Sequence, residues 1–178
     1  MSGALAERCR RLKLLLTDVD GVLTDGRVLL LPDGREAQAF HIRDGMGIVL
    51  AQRAGLTTGV LSGRLSPLVA RRAAELGMSI VRQGIASKRT ALREILVERG
   101  IGGHEVAYMG DDVNDLGVME DVGLSAAPAD AAFEVRSRAF MITEAAGGGG
   151  CLREFVEAIL RARGCWDEVV ASLGRPES

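Results

Sequence analysis

The sequence has few aromatic residues, no excess of basic charge and no long apolar run. Aromatic residues make up 3% of the 178 residues, so platforms on which bases or sugars could stack are not expected. The net charge is −2, which provides no basic field for nucleic acid. No run approaches the roughly 18 apolar residues of a membrane-spanning helix, and the first residues lack the order of a signal peptide. We therefore predict a cytoplasmic protein without nucleic-acid or membrane partners.

Cysteine is scarce as well. The three cysteines, Cys9, Cys151 and Cys165, are odd in number, far apart and outside any CxxC pair. A disulfide framework or a zinc knuckle needs paired cysteines at closer spacing, so neither is expected. We predict that the three thiols are small side chains in a reducing compartment.

The sequence does contain the alternation typical of an α/β protein. It is 47% hydrophobic and 26% charged, which indicates a globular chain, and its length predicts a single domain spanning 1–178. Short apolar runs alternate with helical patterns, which predicts a Rossmann-like parallel sheet sandwiched by helices. Strands are expected at 12–17, 57–61, 78–81, 105–109, 123–128 and 139–143. Helices are expected at 44–54, with Asp44 as N-cap, and at 67–76, 88–99, 113–120 and 151–162.

One segment, residues 27–42, interrupts this alternation. Its sequence, RVLLLPDGREAQAFHI, has two extended runs joined by Pro-Asp-Gly, and Asp-Gly between extended runs predicts a β-hairpin. We expect this hairpin to project as a flap over whatever the preceding residues bind. No second domain of useful size fits into the chain, so we predict no cap domain. Residues 164–178 are interpreted as a C-terminal tail.

An acidic cluster follows the first predicted strand directly. In LLLTDVDGVLTDG, residues 14–26, Asp18 and Asp20 stand after a run of leucines, with Gly21 beside them. Carboxylates so close together repel one another unless a cation or a set of hydrogen bonds compensates. The cluster is therefore either an acidic polar turn or part of a metal site.

Polar residues also follow the other predicted strands. Ser62, Gly63 and Arg64 follow the second strand, Lys88 begins the helix after the third, and Gly-Asp-Asp-Val-Asn-Asp at 110–115 follows the fourth. Ligands of an open parallel sheet bind beyond the carboxyl ends of its strands. We therefore expect these groups to converge on one edge, where they predict phosphoryl transfer with a hard divalent cation.

Each residue type suits one part of that chemistry. Asp18 and Asp111 supply the carboxylates that Mg²⁺ prefers, and Lys88 neutralises phosphate charge. The phosphate oxygens would bind the Ser62 hydroxyl and backbone N–H groups, at positions we assign to Val19, Gly21 and Gly63. Asp18 is predicted to be a nucleophile that forms an aspartyl-phosphate. Asp20 is predicted to protonate the leaving alcohol and then to activate water.

The order of these motifs resembles the haloacid dehalogenase superfamily of phosphohydrolases. DxDGVLTDG, then SGR, then a lysine and then GDDxND match in sequence order and strand context. The resemblance implies Asp18 as nucleophile and Asp20 as general acid and base. It implies Mg²⁺ bound by Asp18, by the backbone carbonyl of Asp20 and by Asp111. It places Asp112, Asn114 and Asp115 around these ligands.

Further stretches resemble the 3-deoxy-D-manno-octulosonate 8-phosphate phosphatases. They are FHIRDGMGI, SGRLSPLVARRAAELG, QGIASK, VGLSAAPADA and GGGGCLREF. This resemblance implies a sugar-phosphate substrate, a role in lipopolysaccharide precursor synthesis, and a homotetramer whose hairpins and tails reach neighbouring sites. It implies that Arg64 and Arg72 recognise the anionic sugar, with Arg64 favouring an eight-carbon acid over a nine-carbon one.

Structural explanations compete with several of these assignments. Asp111, Asp112 and Asp115 are also typical of a helix N-terminus, Ser62 of an N-cap region, and Lys88 of a helix surface. The side chains of Arg64 and Arg72 could simply be solvated. Arg43 fits a substrate contact and a structural salt bridge equally well. At the level of function, the alternatives are a phosphatase for a nine-carbon sialic-acid-type sugar phosphate and a regulatory module without turnover.

Overall fold

The structure, a computed structural model, describes residues 3–174. Helices and strands alternate along these residues. In chain order they are α1 Gly3–Arg11, β1 Leu14–Thr17, β2 Leu29–Leu30, β3 Glu36–Ala37, α2 Ile42–Arg53, β4 Thr57–Leu61, α3 Pro67–Glu75, β5 Ile80–Arg82, α4 Lys88–Arg99, β6 Val106–Met109, α5 Leu116–Asp121, β7 Leu124–Ala127, α6 Phe133–Arg136, β8 Met141–Ile142, α7 Cys151–Arg163 and α8 Trp166–Ser172.

Six strands form one parallel sheet in the order β5-β4-β1-β6-β7-β8. The central strand β1 is buried along its whole length, as are β6 and β7, because helices cover both faces of the sheet. Strands covered on both faces are apolar throughout rather than alternating, which is why LLLT and VAYM have the composition they do. The predicted α/β class is confirmed, and the carboxyl ends of β4, β1 and β6 lie side by side.

The helices bury two hydrophobic cores, one on each face of the sheet. Phe155 of α7 and Ile48 of α2 belong to one core, and Leu92 of α4 and Tyr108 of β6 belong to the other. Burying such large side chains contributes about 1.5–3 kcal/mol each, so the sheet is held rigidly between the two layers. Among the described residues, no helix is long and apolar enough to cross a membrane.

The predicted hairpin forms between β1 and α2. Its strands β2 and β3 pair antiparallel, with Leu29 opposite Ala37 and Leu30 opposite Glu36. Gly34 takes a positive φ of 82° at the turn, which an Asp-Gly pair readily provides. Leu29 and Leu30 are 58% and 70% exposed, so the hairpin carries apolar side chains on its outer surface.

The prediction that Asp44 caps the helix after the hairpin is wrong. Helix α2 begins earlier, and its N-cap is His41, whose Nδ1 accepts the N–H of Arg43 at 3.1 Å. Asp44 is buried within α2 and accepts the N–H groups of Gly150 at 3.2 Å and Arg153 at 2.9 Å. It therefore satisfies the first turn of α7, a partner about 110 positions away that a local pattern does not reveal.

Other boundaries also differ from the sequence predictions. Helix α1 is not predicted by the sequence pattern; Cys9 is its buried residue, so the apolar stripe that would indicate a helix is weak. The predicted helix at 113–120 begins with a 3-10 turn, Val113–Asp115, before α5. The tail expected at 164–178 contains α8, and its residues 175–178 lie outside the described residues. The free thiols Cys9 and Cys151 are buried small side chains.

Candidate active site

The polar residues at the carboxyl ends of the strands surround one cavity of about 260 Å³. Its position follows from the parallel sheet, because β1, β4 and β6 end beside one another and each leads into a polar loop. The lining comprises Asp18, Asp20, Gly26, Ser62, Gly63, Arg64, Lys88, Asp111, Asp112 and Asn114. The structure thus brings together most of the residues that the sequence indicated.

Lys88 is a buried cation in the lining of this cavity. It is the first residue of α4, whose N-cap Ser87 accepts the N–H of Thr90 at 3.2 Å. The Lys88 ammonium lies 2.7 Å from Asp18 Oδ2 and 2.6 Å from Asp115 Oδ1. All three side chains are less than 10% exposed, at 3%, 8% and 0%. Lys88 is therefore not a solvated helix residue but the shared counter-ion of two buried carboxylates.

Asp115 is fully used by partners within the protein. Its Oδ1 accepts the Lys88 ammonium and the hydroxyl of Tyr108, and its Oδ2 accepts the backbone N–H groups of Asp111 at 3.0 Å and Asp112 at 3.3 Å. Burial and the Asp115 charge hold the pKa of Tyr108 well above its ordinary value, so the phenol is a donor. Asp115 thus fixes the 110–115 loop and orients Lys88, with no oxygen left over for a ligand.

Asp18 and Asp111 are two of the carboxylates that line the cavity, and their negative charges repel each other. Burial and the nearby Asp115 raise the pKa of Asp18 to about 6, although Lys88 opposes the shift. Burial and the Asp18 charge raise the pKa of Asp111 to about 8. When two partly buried carboxylates repel each other, the site is stabilised either by protonation of one of them or by a cation bound between them.

The same residues fit a magnesium ion. Carboxylate oxygens of Asp18, Asp111 and Asp115 lie within 4.8 Å of one another, and hard oxygen donors are what Mg²⁺ binds. Gly21 adopts φ +84°, and a Cβ there would lie 1.9 Å from Asp111 Oδ2. The glycine therefore lets the loop after β1 approach Asp111 closely. Because the oxygens of Asp115 are occupied, Asp18 and Asp111 are the side chains that can hold the ion.

The comparisons with known proteins point to the same chemistry. A family model for haloacid dehalogenase-like hydrolases matches residues 70–154. The 3-deoxy-D-manno-octulosonate 8-phosphate phosphatase of Escherichia coli (strain K12) is 40% identical over 168 residues, covering 94% of this chain and 89% of that protein. This chain belongs to the haloacid dehalogenase-like hydrolases.

Solved structures support the assignment to the haloacid dehalogenase-like hydrolases. A probable YrbI family phosphatase from Pseudomonas syringae is 43% identical, with a TM-score of 0.93, covering 99% of this chain and 100% of that one. The 3-deoxy-D-manno-octulosonate 8-phosphate phosphatase of Moraxella catarrhalis, solved with a magnesium ion, a phosphate ion and a KDO molecule, is 34% identical with a TM-score of 0.93. The match covers 97% of this chain and 99% of that chain.

In this haloacid dehalogenase-like hydrolase, the predicted phosphate-binding positions differ in accessibility. The Ser62 hydroxyl accepts the backbone N–H of Arg64 at 3.2 Å, and Ser62 and Gly63 line the cavity. Gly21 lies at the same edge beside Asp111. The side chain of Val19 is buried in the core, so any contribution of Val19 to phosphate binding comes from its backbone.

Two of the three predicted substrate arginines lie outside the cavity that contains Asp18. Arg64 lines it, but Arg72 lines a neighbouring cavity of about 290 Å³ that also contains Gln38 and Phe40. Arg43 lines a third cavity, of about 450 Å³, with Gly149, Gly150 and Arg153 among its walls. Of these three arginines, therefore, only Arg64 lines the cavity that contains Asp18.

Sequence reasoning missed two residues of the hairpin that reach the site. Gln38 Nε2 donates to Asp20 Oδ1 at 3.3 Å, and Glu36 Oε2 accepts Arg64 at 2.7 Å. Residues two apart in a strand share a face, so the pair E-x-Q after the Asp-Gly turn carried a signal. That signal shows which side chains share a face but not that the face is turned toward Asp20.

Proposed function

We propose that this hydrolase is a magnesium-dependent phosphomonoesterase that converts 3-deoxy-D-manno-octulosonate 8-phosphate into the free sugar acid and phosphate. The observation that carries the proposal is the placement of Asp18, Asp20, Asp111 and Lys88 around one cavity. The substrate is the one named for the Escherichia coli relative, which matches 94% of this chain. The product would enter lipopolysaccharide precursor synthesis. We propose that the enzyme itself is cytoplasmic.

In the first half of the proposed reaction, a carboxylate oxygen of Asp18 attacks phosphorus. A bond forms between that oxygen and phosphorus while the bond to the sugar oxygen breaks, with the two oxygens in line. Asp20, two residues further on, donates its proton to the departing sugar oxygen. The products of this half are an aspartyl-phosphate at Asp18, the sugar acid and an ionised Asp20.

In the second half, the aspartyl-phosphate is hydrolysed. The ionised Asp20 accepts a proton from water, whose oxygen attacks phosphorus as the bond to Asp18 breaks. Phosphate is released, Asp18 is again a carboxylate, and Asp20 is again protonated. A single residue therefore serves first as acid and then as base, and the cycle closes without a net proton change at Asp20.

Phosphate charge is neutralised by fixed groups of this chain. The Lys88 ammonium, 2.7 Å from Asp18, and Ser62 both line the cavity in which the phosphoryl group would bind. Bound Mg²⁺, held by Asp18, the backbone carbonyl of Asp20 and Asp111, would neutralise charge that develops on the phosphoryl oxygens. Asp112 and Asn114 also line the cavity, and in the proposal they support the magnesium ligands.

Arginines are proposed to recognise the acid group of the sugar. A guanidinium binds a carboxylate through two parallel N–H donors. Arg64 now pairs with Glu36 at 2.7 Å and lies 3.8 Å from Asp20, while Arg72 pairs with Glu75 at 3.4 Å. Arg43 lines a different cavity. A substrate contact therefore stays a prediction for Arg43, with a structural salt bridge as the alternative.

Steady-state kinetics with a panel of phosphates tests the substrate. With Mg²⁺ present, we expect kcat/KM to be highest for the eight-carbon acid phosphate, lower for a nine-carbon sialic-acid-type phosphate, and lowest for generic aryl phosphates. A preference for the nine-carbon acid would replace the substrate and keep the chemistry. Absence of Mg²⁺-dependent phosphate release from every member of the panel would reject the function itself.

We also propose that the chain forms a homotetramer in which hairpins and C-terminal tails reach neighbouring sites. Exposed Val28, Leu29 and Leu30 on the hairpin, at 49%, 58% and 70%, support it, because apolar side chains clustered at a surface mark association sites. Sedimentation velocity of the active enzyme is the measurement. A monomer with full activity would contradict the proposal.

The raised pKa values predict how magnesium stabilises the fold at different pH. The pKa of Asp18 is about 6 and that of Asp111 about 8, against an ordinary value of 3.8. Without metal, the stability that these groups contribute is complete below the ordinary value and is lost as pH rises through 6 and then 8. Mg²⁺ binds the ionised forms of the two carboxyl groups and competes with protons. The increase in Tm that Mg²⁺ causes should therefore be larger at pH 8.5 than at pH 6.

Differential scanning fluorimetry with EDTA or excess Mg²⁺ measures this effect. The variant Asp111→Asn removes both a proposed magnesium ligand and the group with the higher pKa, so the magnesium-induced shift in its Tm should be small at both pH values. An equal shift in Tm at both pH values in the unmodified protein would contradict the assignment.

A further inference from the structure

The side-chain amide of Gln38 lies between the predicted acid/base residue and helix α3. Gln38 Nε2 donates to Asp20 Oδ1 at 3.3 Å, and Gln38 Oε1 accepts the hydroxyl of Ser66 at 3.0 Å. Gln38 follows strand β3 of the hairpin, whereas Ser66 is the N-cap residue of α3. Through these two hydrogen bonds, Gln38 links the hairpin to Asp20 and to α3 of the same chain.

The chemistry of the two partners fixes which way the amide points. Asp20 Oδ1 accepts a hydrogen bond from the NH₂ end of Gln38, and the amide oxygen of Gln38, itself only an acceptor, could not take that place. The oxygen end then faces Ser66, which is 4% exposed and donates its hydroxyl. The backbone N–H of Ser66 is itself held by Gln83 Oε1 at 2.8 Å. The amide is therefore anchored at one end and presents a directed donor at the other.

A second contact from the hairpin acts on the same carboxylate. Glu36 Oε2 accepts Arg64 at 2.7 Å, and Arg64 lies 3.8 Å from Asp20 Oδ1. Glu36 and Gln38 are two residues apart and face the same side of the hairpin. Gln38 contacts Asp20 directly, and Glu36 acts through Arg64. Within the part of the chain that the structure describes, the two side chains in contact with the Asp20 carboxyl group are thus supplied or held by the hairpin.

We propose that Gln38 is a positioning residue that orients the Asp20 carboxyl group for proton transfer to the leaving oxygen. The inference rests on the proposed function. Asp20 lies in the turn that follows β1, and the direction of its carboxyl group depends on what that group contacts. A general acid works only within hydrogen-bond reach of the proton acceptor, and a misplacement of about 1 Å costs on the order of 100-fold.

Gln38 also lines the neighbouring cavity with Arg72, so a loss of activity toward a sugar phosphate alone would be ambiguous. Gln38 could affect either substrate binding or proton transfer by Asp20. Phosphates of similar size but different leaving groups separate these two roles. Benzyl phosphate releases a strongly basic alkoxide that needs a proton, whereas 4-nitrophenyl phosphate releases a stable phenolate that does not. Because kcat/KM covers the steps up to departure of the leaving group, it reports the acid role and excludes the later hydrolysis.

For Gln38→Ala, kcat/KM for benzyl phosphate should fall about 10- to 100-fold, and that for 4-nitrophenyl phosphate should stay within about threefold, since general acid help is not needed there. Gln38→Glu keeps the shape but replaces the donor by an acceptor, so it should show the same selective loss. The control is Arg35→Ala, an exposed hairpin residue paired with Asp33, which should change neither value.

The result that overturns the proposal is an equal loss with both substrates, or no loss with either, in the Gln38 variants. Asp20→Asn separates this failure from that of the proposed function. If Asp20→Asn shows the selective loss and the Gln38 variants do not, Gln38 has no positioning role and the mechanism stands. If Asp20→Asn itself leaves both values unchanged, Asp20 is not the acid, and the mechanism and the inference fall together.

Discussion

Replacing Asp18 by Asn is expected to lower kcat by about 10⁴-fold or more, the scale seen when an enzyme loses its covalent nucleophile. The amide has no anionic oxygen with which to attack phosphorus, so no aspartyl-phosphate forms. The carboxylate is also one of the two side chains that can hold Mg²⁺, so metal affinity should fall as well. Added Mg²⁺ at saturating concentration should therefore not restore turnover.

The fold should survive this substitution. The amide of the variant is isosteric with the carboxyl group and removes one member of a buried group of like charges, while Lys88 keeps its 2.6 Å contact with Asp115. The measurement is phosphate release together with Tm, and mass spectrometry of acid-quenched enzyme checks for phosphate on the chain. A covalently bound phosphate in the Asp18→Asn variant would contradict the assignment of the nucleophile.

Asp25→Asn is the matched control for Asp18→Asn. Asp25 belongs to the same acidic stretch of sequence, but its side chain is 52% exposed and pairs with Arg27 at 3.7 Å. It does not line the cavity that contains Asp18. The variant should keep kcat within about twofold, because an exposed pair contributes little. Together the two variants test whether position in the sheet, rather than acidity of the segment, determines the chemistry.

The sheet and the convergence of the site were predictable from sequence because both follow from chain-local patterns. Apolar runs such as LLLT and VAYM are dictated by burial on both faces. In a parallel sheet, the residues after each run must gather at one edge. That is why Asp18, Ser62 and Asp111 line one cavity, as expected, although nothing in the sequence gives the distances between them.

The parts that sequence reasoning missed depend on long-range contacts or on weak local patterns. The sequence predicts Asp44 as the cap of its own helix, but Asp44 satisfies N–H groups of α7, since a carboxylate at a helix start looks the same whichever helix it serves. Tyr108 has the pattern of an ordinary core residue of β6, yet its hydroxyl binds Asp115. Gln38 of the hairpin contacts Asp20, and the turn sequence of a hairpin does not specify which distant residues its side chains will contact.

The substitution Lys88→Met should cost about 3–5 kcal/mol in free energy of unfolding, the scale for breaking a buried ion pair. Methionine keeps most of the length and apolar volume of the lysine stem but removes the charge between Asp18 and Asp115. The two carboxylates then lie buried without their cation. Turnover should also fall by about 100-fold or more, because a fixed charge beside the transferred phosphoryl group is lost.

The pH dependence of this loss separates an electrostatic cause from a cavity or a packing defect. Lys88 lowers the pKa of Asp18, which burial and Asp115 have raised to about 6, so its removal raises that pKa further. The folded variant then takes up protons that the unfolded chain does not, and its stability deficit should shrink as the pH falls from 8.5 to 5.5. A packing defect would be independent of pH.

Urea unfolding in EDTA at these two pH values measures the deficit, with Arg71→Ala as the matched control. Arg71 pairs with Glu75 at 2.9 Å on the surface of α3, where the two side chains are 78% and 44% exposed. An exposed pair of this kind contributes little to stability, and its loss should be the same at both pH values. If Lys88→Met cost no more than Arg71→Ala, the two buried carboxylates would not need this cation, and Lys88 would serve the reaction without holding the site together.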